Sequence, residues 1–172
     1  MIRLFEIENK TVIPTEHCYV IKYLKDIMEN YPEHFLQVYQ YLFYMKCPGP
    51  DNPYFNMKDV DVEETIIHDL DGLKFNAEDD AIIDALKKTE RLYTTPTVRA
   101  HKGIKMAMDN IADYLSDATI SDGKDGNIGQ IRSMTKDFDM IRKSYKGVAK
   151  DVEDEQKALH VRGDQSLAYD QE

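Results

Sequence analysis

The chain is expected to be mainly α, a helical bundle with a long C-terminal helix, a short N-terminal β or extended segment and an extended C-terminal arm. Three features predict this. From Ile131 onward the apolar residues fall at Ile131, Met134, Phe138, Ile141, Tyr145, Val148, Val152 and Leu159. Steps of three and four, closed by one of seven, are the heptad spacing of a helix with a single narrow apolar stripe, which another helix must cover. Between Phe35 and Met45 apolar or aromatic residues occupy nearly every side of a helix, the mark of an element enclosed by neighbours. Finally, a polar connection from Ser116 to Asn127 joins the heptad helix to a second stripe at Ala100, Ile104, Ala107, Ile111 and Leu115, predicting an antiparallel pair.

The elements follow in order. Arg3 to Ile7 and Thr11 to Pro14 favour strands around Glu-Asn-Lys and predict either a hairpin or an extended arm. Thr15 precedes apolar Cys18, Ile21, Leu24, Ile27 and Met28 at helical spacing, so one helix is expected from Glu16 to Asn30. Pro32 opens the aromatic core helix, and Cys47 to Pro53, with three prolines, ends it in a rigid loop. Asp61 caps a helix that stops near Gly72, and Asn76 with Asp79 caps another reaching Tyr93. Thr95-Pro96 pairs a capping hydroxyl with proline at the first helical position and opens the penultimate helix. After His160 periodicity stops. The expected organisation is a helical domain over 1–160 and an extended arm over 161–172.

With 172 residues the chain suits one domain with an arm, and 32 acidic against 22 basic residues give a formal charge of −10. Such a surface repels a phosphate backbone, so sequence-specific nucleic-acid binding is not expected, although an acidic wall suits a channel through which DNA slides without sticking. No apolar run reaches the roughly 18 residues of a membrane span, and Met-Ile-Arg-Leu-Phe-Glu lacks a signal-peptide layout, so a soluble protein is expected. Cys18 and Cys47 stand far apart without Cys-x-x-Cys spacing and read as buried thiols.

Candidate chemistry is weak. Asp122-Gly-Lys-Asp125-Gly126 has the look of a calcium loop, but the matching register puts Arg132 where the bidentate glutamate belongs, leaving a glycine turn. None of His17, His34, His68, His101 and His160 has metal-ligand spacing, and His68 with Glu64 one turn away predicts a local ion pair. Glu63, Glu64, Glu78, Asp79 and Asp80 sit in first helical turns, where negative charge offsets the macrodipole. Arg162-Gly163-Asp164 matches an adhesion tripeptide of a length that recurs by chance. Tyr39, Tyr41, Phe43 and Tyr44 lack the interleaved basic residues of a base-stacking surface and read as core. No catalytic residue, metal ligand or cofactor site is assigned, and an enzyme is not expected.

The sequence speaks instead of contact. The C-terminal helix outruns its partner by about three turns of 3.6 residues, so Val148, Val152 and Leu159 are expected to be covered by another chain. In the arm, Leu167 and Tyr169 point to the same side of an extended strand and serve as anchors on a partner.

Glu16-His-Cys-Tyr-Val-Ile-Lys-Tyr-Leu-Lys-Asp-Ile-Met-Glu-Asn-Tyr-Pro32, Phe138-Asp-Met-Ile-Arg-Lys-Ser-Tyr-Lys-Gly147 and the closing Leu-Ala-Tyr-Asp-Gln resemble virion proteins of crAss-like and related tailed bacteriophages. Size, helical content and a projecting arm are similar to head–tail connector ring proteins. The resemblance implies a structural protein without turnover or cofactor, a homo-oligomeric ring, and the portal or a neighbouring tail ring as partner. It also implies no membrane, and a place in the virion after assembly in the host cytoplasm. The alternatives are an acidic regulatory protein that mimics DNA toward a host enzyme, and an internal virion cargo protein.

Overall fold

Alternation in Phe5-Glu-Ile-Glu8 and Thr11-Val-Ile-Pro14 puts Phe5, Ile7 and Val12 on one side of a two-stranded ribbon, and burying that side fixes its register. In the computed structural model of the protein, β1 (Phe5–Glu8) and β2 (Thr11–Pro14) pair antiparallel with Phe5 opposite Pro14 and Ile7 opposite Val12. The hairpin, not the extended arm, is the form adopted. The structure describes residues 3–8, 11–57, 59–121 and 126–169, of which 59, 60 and 159–169 are described by backbone alone.

Seven helices follow among the described residues: α1 (Glu16–Val20), α2 (Lys22–Asn30), α3 (Phe35–Lys46), α4 (Asp59–Asp69), α5 (Asp80–Tyr93), α6 (Pro96–Asp117) and α7 (Ile128–Tyr169). They divide between two compact units, one of Met1–Thr94 with Glu155–Glu172 and one of Thr95–Asp154.

The first unit is built around Leu4 and the aromatic helix. Leu4 is fully buried, its N–H donates to the Tyr93 hydroxyl at 2.9 Å, and its carbonyl accepts from Thr15 N at 2.9 Å and Cys18 Sγ at 2.9 Å. The start of the chain is thus tied to the far end of α5. Tyr39 on α3 is enclosed between Phe5 and Phe35, at centroid separations of 5.8 and 5.7 Å. Its hydroxyl donates to the Leu24 carbonyl at 2.8 Å. Buried Tyr41 donates to Glu63 on α4 at 2.6 Å, and half-buried Tyr31 donates to Asp79, the residue that caps α5, at 2.6 Å.

Where one helix was expected over Glu16–Asn30, the backbone turns extended at Ile21 (φ −73°, ψ 118°) and restarts. Ile21 N donates to His17 O while Ile21 O accepts from Leu24 and Lys25 N, so the break leaves few backbone groups unpaired. It packs Ile21 against the core and leaves neighbouring Val20 in solvent.

Two side-chain amides hold the loops. Asn52 is buried and donates to the carbonyls of Tyr44 and Cys47 at 2.8 Å each, closing the end of α3, while its oxygen accepts from Tyr54 N at 3.0 Å. Gln37 donates to Leu70 O at 3.1 Å and Gly72 O at 2.8 Å and accepts from Lys74 N at 2.9 Å. Asp71 and Gly72 at φ 56° and 82° end α4 in the left-handed conformation, near the Gly72 that marks its expected stop. Gly49 is required twice over: its φ is 121°, and a Cβ there would meet Gln156 Cγ at 3.1 Å.

In the second unit Thr95 Oγ1 accepts from Val98 N at 3.1 Å and Pro96 occupies the first turn of α6, as the dipeptide predicts. After α6, Asn127 closes the connection by accepting from Ser121 N at 2.9 Å and donating to Thr119 O at 3.0 Å. Asp122 to Asp125 lie outside the described residues. The extended arm expected over 161–172 is helical instead as far as Tyr169, and residues 170–172 lie outside the described residues. No proline follows Pro96, Gly163 alone costs about 1 kcal/mol, and adding residues to an existing helix is far easier than starting one.

Candidate interaction surface

A helix whose apolar residues repeat every 3.5 positions buries only a stripe, and the burial of α7 follows that repeat. Ile131, Met134, Phe138, Ile141, Tyr145 and Val148 are all half-buried, while nearly every residue between them is exposed. Across from them, the covered side of α6 runs through Val98, His101, Ile104, Met108, Ile111 and Leu115. Ala100 and Ala107, expected in that stripe, are exposed: a methyl group contributes little burial, and the larger Val98 and Met108 set the face instead.

His101, weighed in the sequence only as a metal ligand, belongs to this seam. It is 1 % exposed, and its ring lies 4.8 Å from that of Tyr145. Since His101 stands near the start of α6 and Tyr145 well along α7, the two helices are antiparallel. Lys105 and Asp109 pair along α6 at 3.3 Å, and the Asp109 charge, after burial, helps push the Tyr145 hydroxyl upward. A histidine at seam spacing, three before Ile104, was the available signal.

Burial lowers the His101 pKa from 6.5, and the Lys105 charge lowers it further. The unfolded chain therefore takes up a proton on this ring at higher pH than the folded one, so stability falls as pH drops below about 6.5. Melting curves between pH 7.5 and 5.5 are expected to show the second unit losing stability, and His101→Phe is expected to flatten that slope. An equal slope in both proteins would contradict the assignment.

Of the residues assigned to partner contact, Val148 stays half-buried, but Val152 is 2 % exposed. Its own chain already covers Val152, so it is not available as a partner contact. The side chains of Leu159, Leu167 and Tyr169 lie outside the described residues, and with the backbone helical there, Leu167 and Tyr169 are not spaced on one side as in a strand.

The remaining candidates are structural. Cys18 and Cys47 are free and buried, and burial pushes the Cys18 thiol up to about 12. His68 lies 3.1 Å from Asp69 rather than pairing with Glu64, and Tyr54 and His68 hold the Asp69 carboxyl below its usual range. Among the described residues no group of three or more His, Cys, Asp or Glu is placed to hold a metal, and no helix is long and apolar enough to cross a membrane. A cavity of about 30 Å³ beside Cys47, Tyr93 and Gln156 has room for one water. A cleft of about 200 Å³ lies between α2 and α5 at Tyr23, Asp26 and Asp84. Both fall below the roughly 300 Å³ of ordinary small-molecule sites.

The feature with area and pattern is thus the α6–α7 seam. Compared with known proteins, the chain matches no family model, no curated protein and no solved structure.

Proposed function

We propose that the chain is a structural subunit of a tailed-phage virion, which forms a ring in the head-to-tail connector and binds the portal or a neighbouring ring. It acts by binding, without turnover or cofactor. The observation that carries this reading is the long α6–α7 hairpin, whose apolar seam, apart from Val98 and His101, stays half-buried when the chain is alone. Two helices cover only one side of each other's stripe, so further cover has to come from association. The resemblance of residues 16–32 and 138–147 to phage virion proteins supplies the setting, and the −10 charge suits a wall beside DNA that must slide. The DNA-mimic reading needs carboxylates gathered on one face, and α7 instead carries four basic residues and no acid between Met140 and Lys150.

Quantitative mass spectrometry of purified particles tests the proposal. A fixed copy number relative to the portal is expected. Abundance in infected cells with absence from particles would overturn it, and a variable copy number would favour internal cargo.

A further inference from the structure

We infer that the side of α7 turned away from the seam is a track for the phosphate backbone of duplex DNA, held without regard to sequence. Between Arg132 and Lys150 this helix carries six bases, Arg132, Lys136, Arg142, Lys143, Lys146 and Lys150, against two acids, Asp137 and Asp139. All six bases are exposed, and among the described residues none of them pairs with a carboxylate. Counted from the seam at about 100° per residue, they fall on one flank and the back of the helix, where Asp139 is the one acid between them. Asp137 lies on the other flank. Helix stability does not explain the cluster. Lys146 stands three residues from Lys143 and four from both Arg142 and Lys150, spacings at which like charges oppose helix formation. The C-terminal dipole does not call for these bases either, because it acts in the last turn and α7 runs on to Tyr169. An anionic partner is what offsets their repulsion.

The layout fits a linear polyanion. From Arg132 to Lys150 the bases cover about 27 Å of continuous helix at 1.5 Å per residue, beside which one strand of a duplex presents a phosphate about every 3.4 Å of its axis. A protein partner would need apolar or aromatic contacts at the centre of the interface, and the stripe offers none. A lipid surface would need the apolar face of the helix, which α7 turns into its seam with α6. No Asn or Gln stands between Arg132 and Lys150, and phosphate contacts position a duplex without reading it. The formal charge of −10 weakens this contact without forbidding it. At physiological ionic strength charges more than about 8 Å away are largely screened, so a phosphate lying on the stripe feels the six bases and Asp139 before the rest of the chain.

This contact stands apart from the virion reading, since its test uses the isolated chain and particle composition does not enter it. Fluorescence anisotropy of a labelled DNA duplex titrated with the full chain is expected to show binding at 50 mM salt that is about a hundredfold weaker at 200 mM, the loss that roughly four phosphate contacts give. A second duplex of unrelated sequence is expected to bind equally. Lys143→Gln with Lys146→Gln is expected to weaken binding about tenfold at 50 mM and to lower the salt dependence by about two contacts, circular dichroism verifying that the variant folds. Lys22→Gln with Lys87→Gln makes the same change of net charge at exposed lysines of the first unit and is expected to leave binding unchanged. Equal weakening by the two pairs would show that net charge decides and would overturn the inference, as would the absence of duplex binding at 50 mM. Poly-glutamate bound as tightly as the duplex, and weakened by Lys143→Gln with Lys146→Gln, would assign the stripe to an acidic protein instead.

Discussion

Tyr39→Ala is expected to destabilise the first unit by about 3–5 kcal/mol, the range for removing a large buried ring. The ring is fully enclosed, has edge or tilted contacts with Phe5 and Phe35, and ties α3 to α2 through the Leu24 carbonyl. The elements beside the ring are anchored, the chain before β1 by the Leu4–Tyr93 hydrogen bond and the end of α3 by Asn52, which limits how far they can collapse into the space. Tyr39→Phe keeps the packing and loses one hydrogen bond, an effect of about 1 kcal/mol. Urea unfolding of the three proteins measures both. A loss under about 2 kcal/mol for the alanine variant would show that α3 is not the organising element.

Val152→Asp comes next, at roughly 3 kcal/mol, because a carboxylate at a 2 % exposed position loses its water and gains no partner. Ile141→Asp is expected to cost about half as much, its site being only half-buried and its charge therefore partly hydrated. This order reverses the one the heptad alone implies, in which the distal stripe waits for another chain and Val152 is free to change. Circular dichroism during thermal melting distinguishes the two. A fully folded Val152→Asp monomer with a wild-type melting temperature would restore the distal stripe to a partner.

The parts of this fold legible in the sequence are those where one local pattern decides. The seam of α7 is read from spacing alone, Thr95-Pro96 marks the start of α6, and the aromatic run from Phe35 to Met45 announces an enclosed helix. Tertiary demands hide the rest. The break at Ile21 leaves the helical period of 16–30 intact and is visible only once the core claims that side chain. Asn52, inside a run of prolines, reads as loop composition, yet it is the group that closes α3. His101 stands at seam spacing three before Ile104, but two small alanines fit a similar spacing, and only volume separates the two faces. The continuation of α7 past Gly163 went against a polar composition that favours neither state by much. As for the interaction surface, the α7 stripe was legible from its spacing, whereas the burial of Val152 within its own chain was not.

Hydrogen exchange of the full chain at rising protein concentration tests the central claim most directly. If the hairpin is an interaction surface, amides in 104–115 and 131–148 gain protection as concentration rises, while those of α3 exchange at a constant rate. Exchange in the hairpin that does not change with concentration, up to the highest attainable, would contradict it.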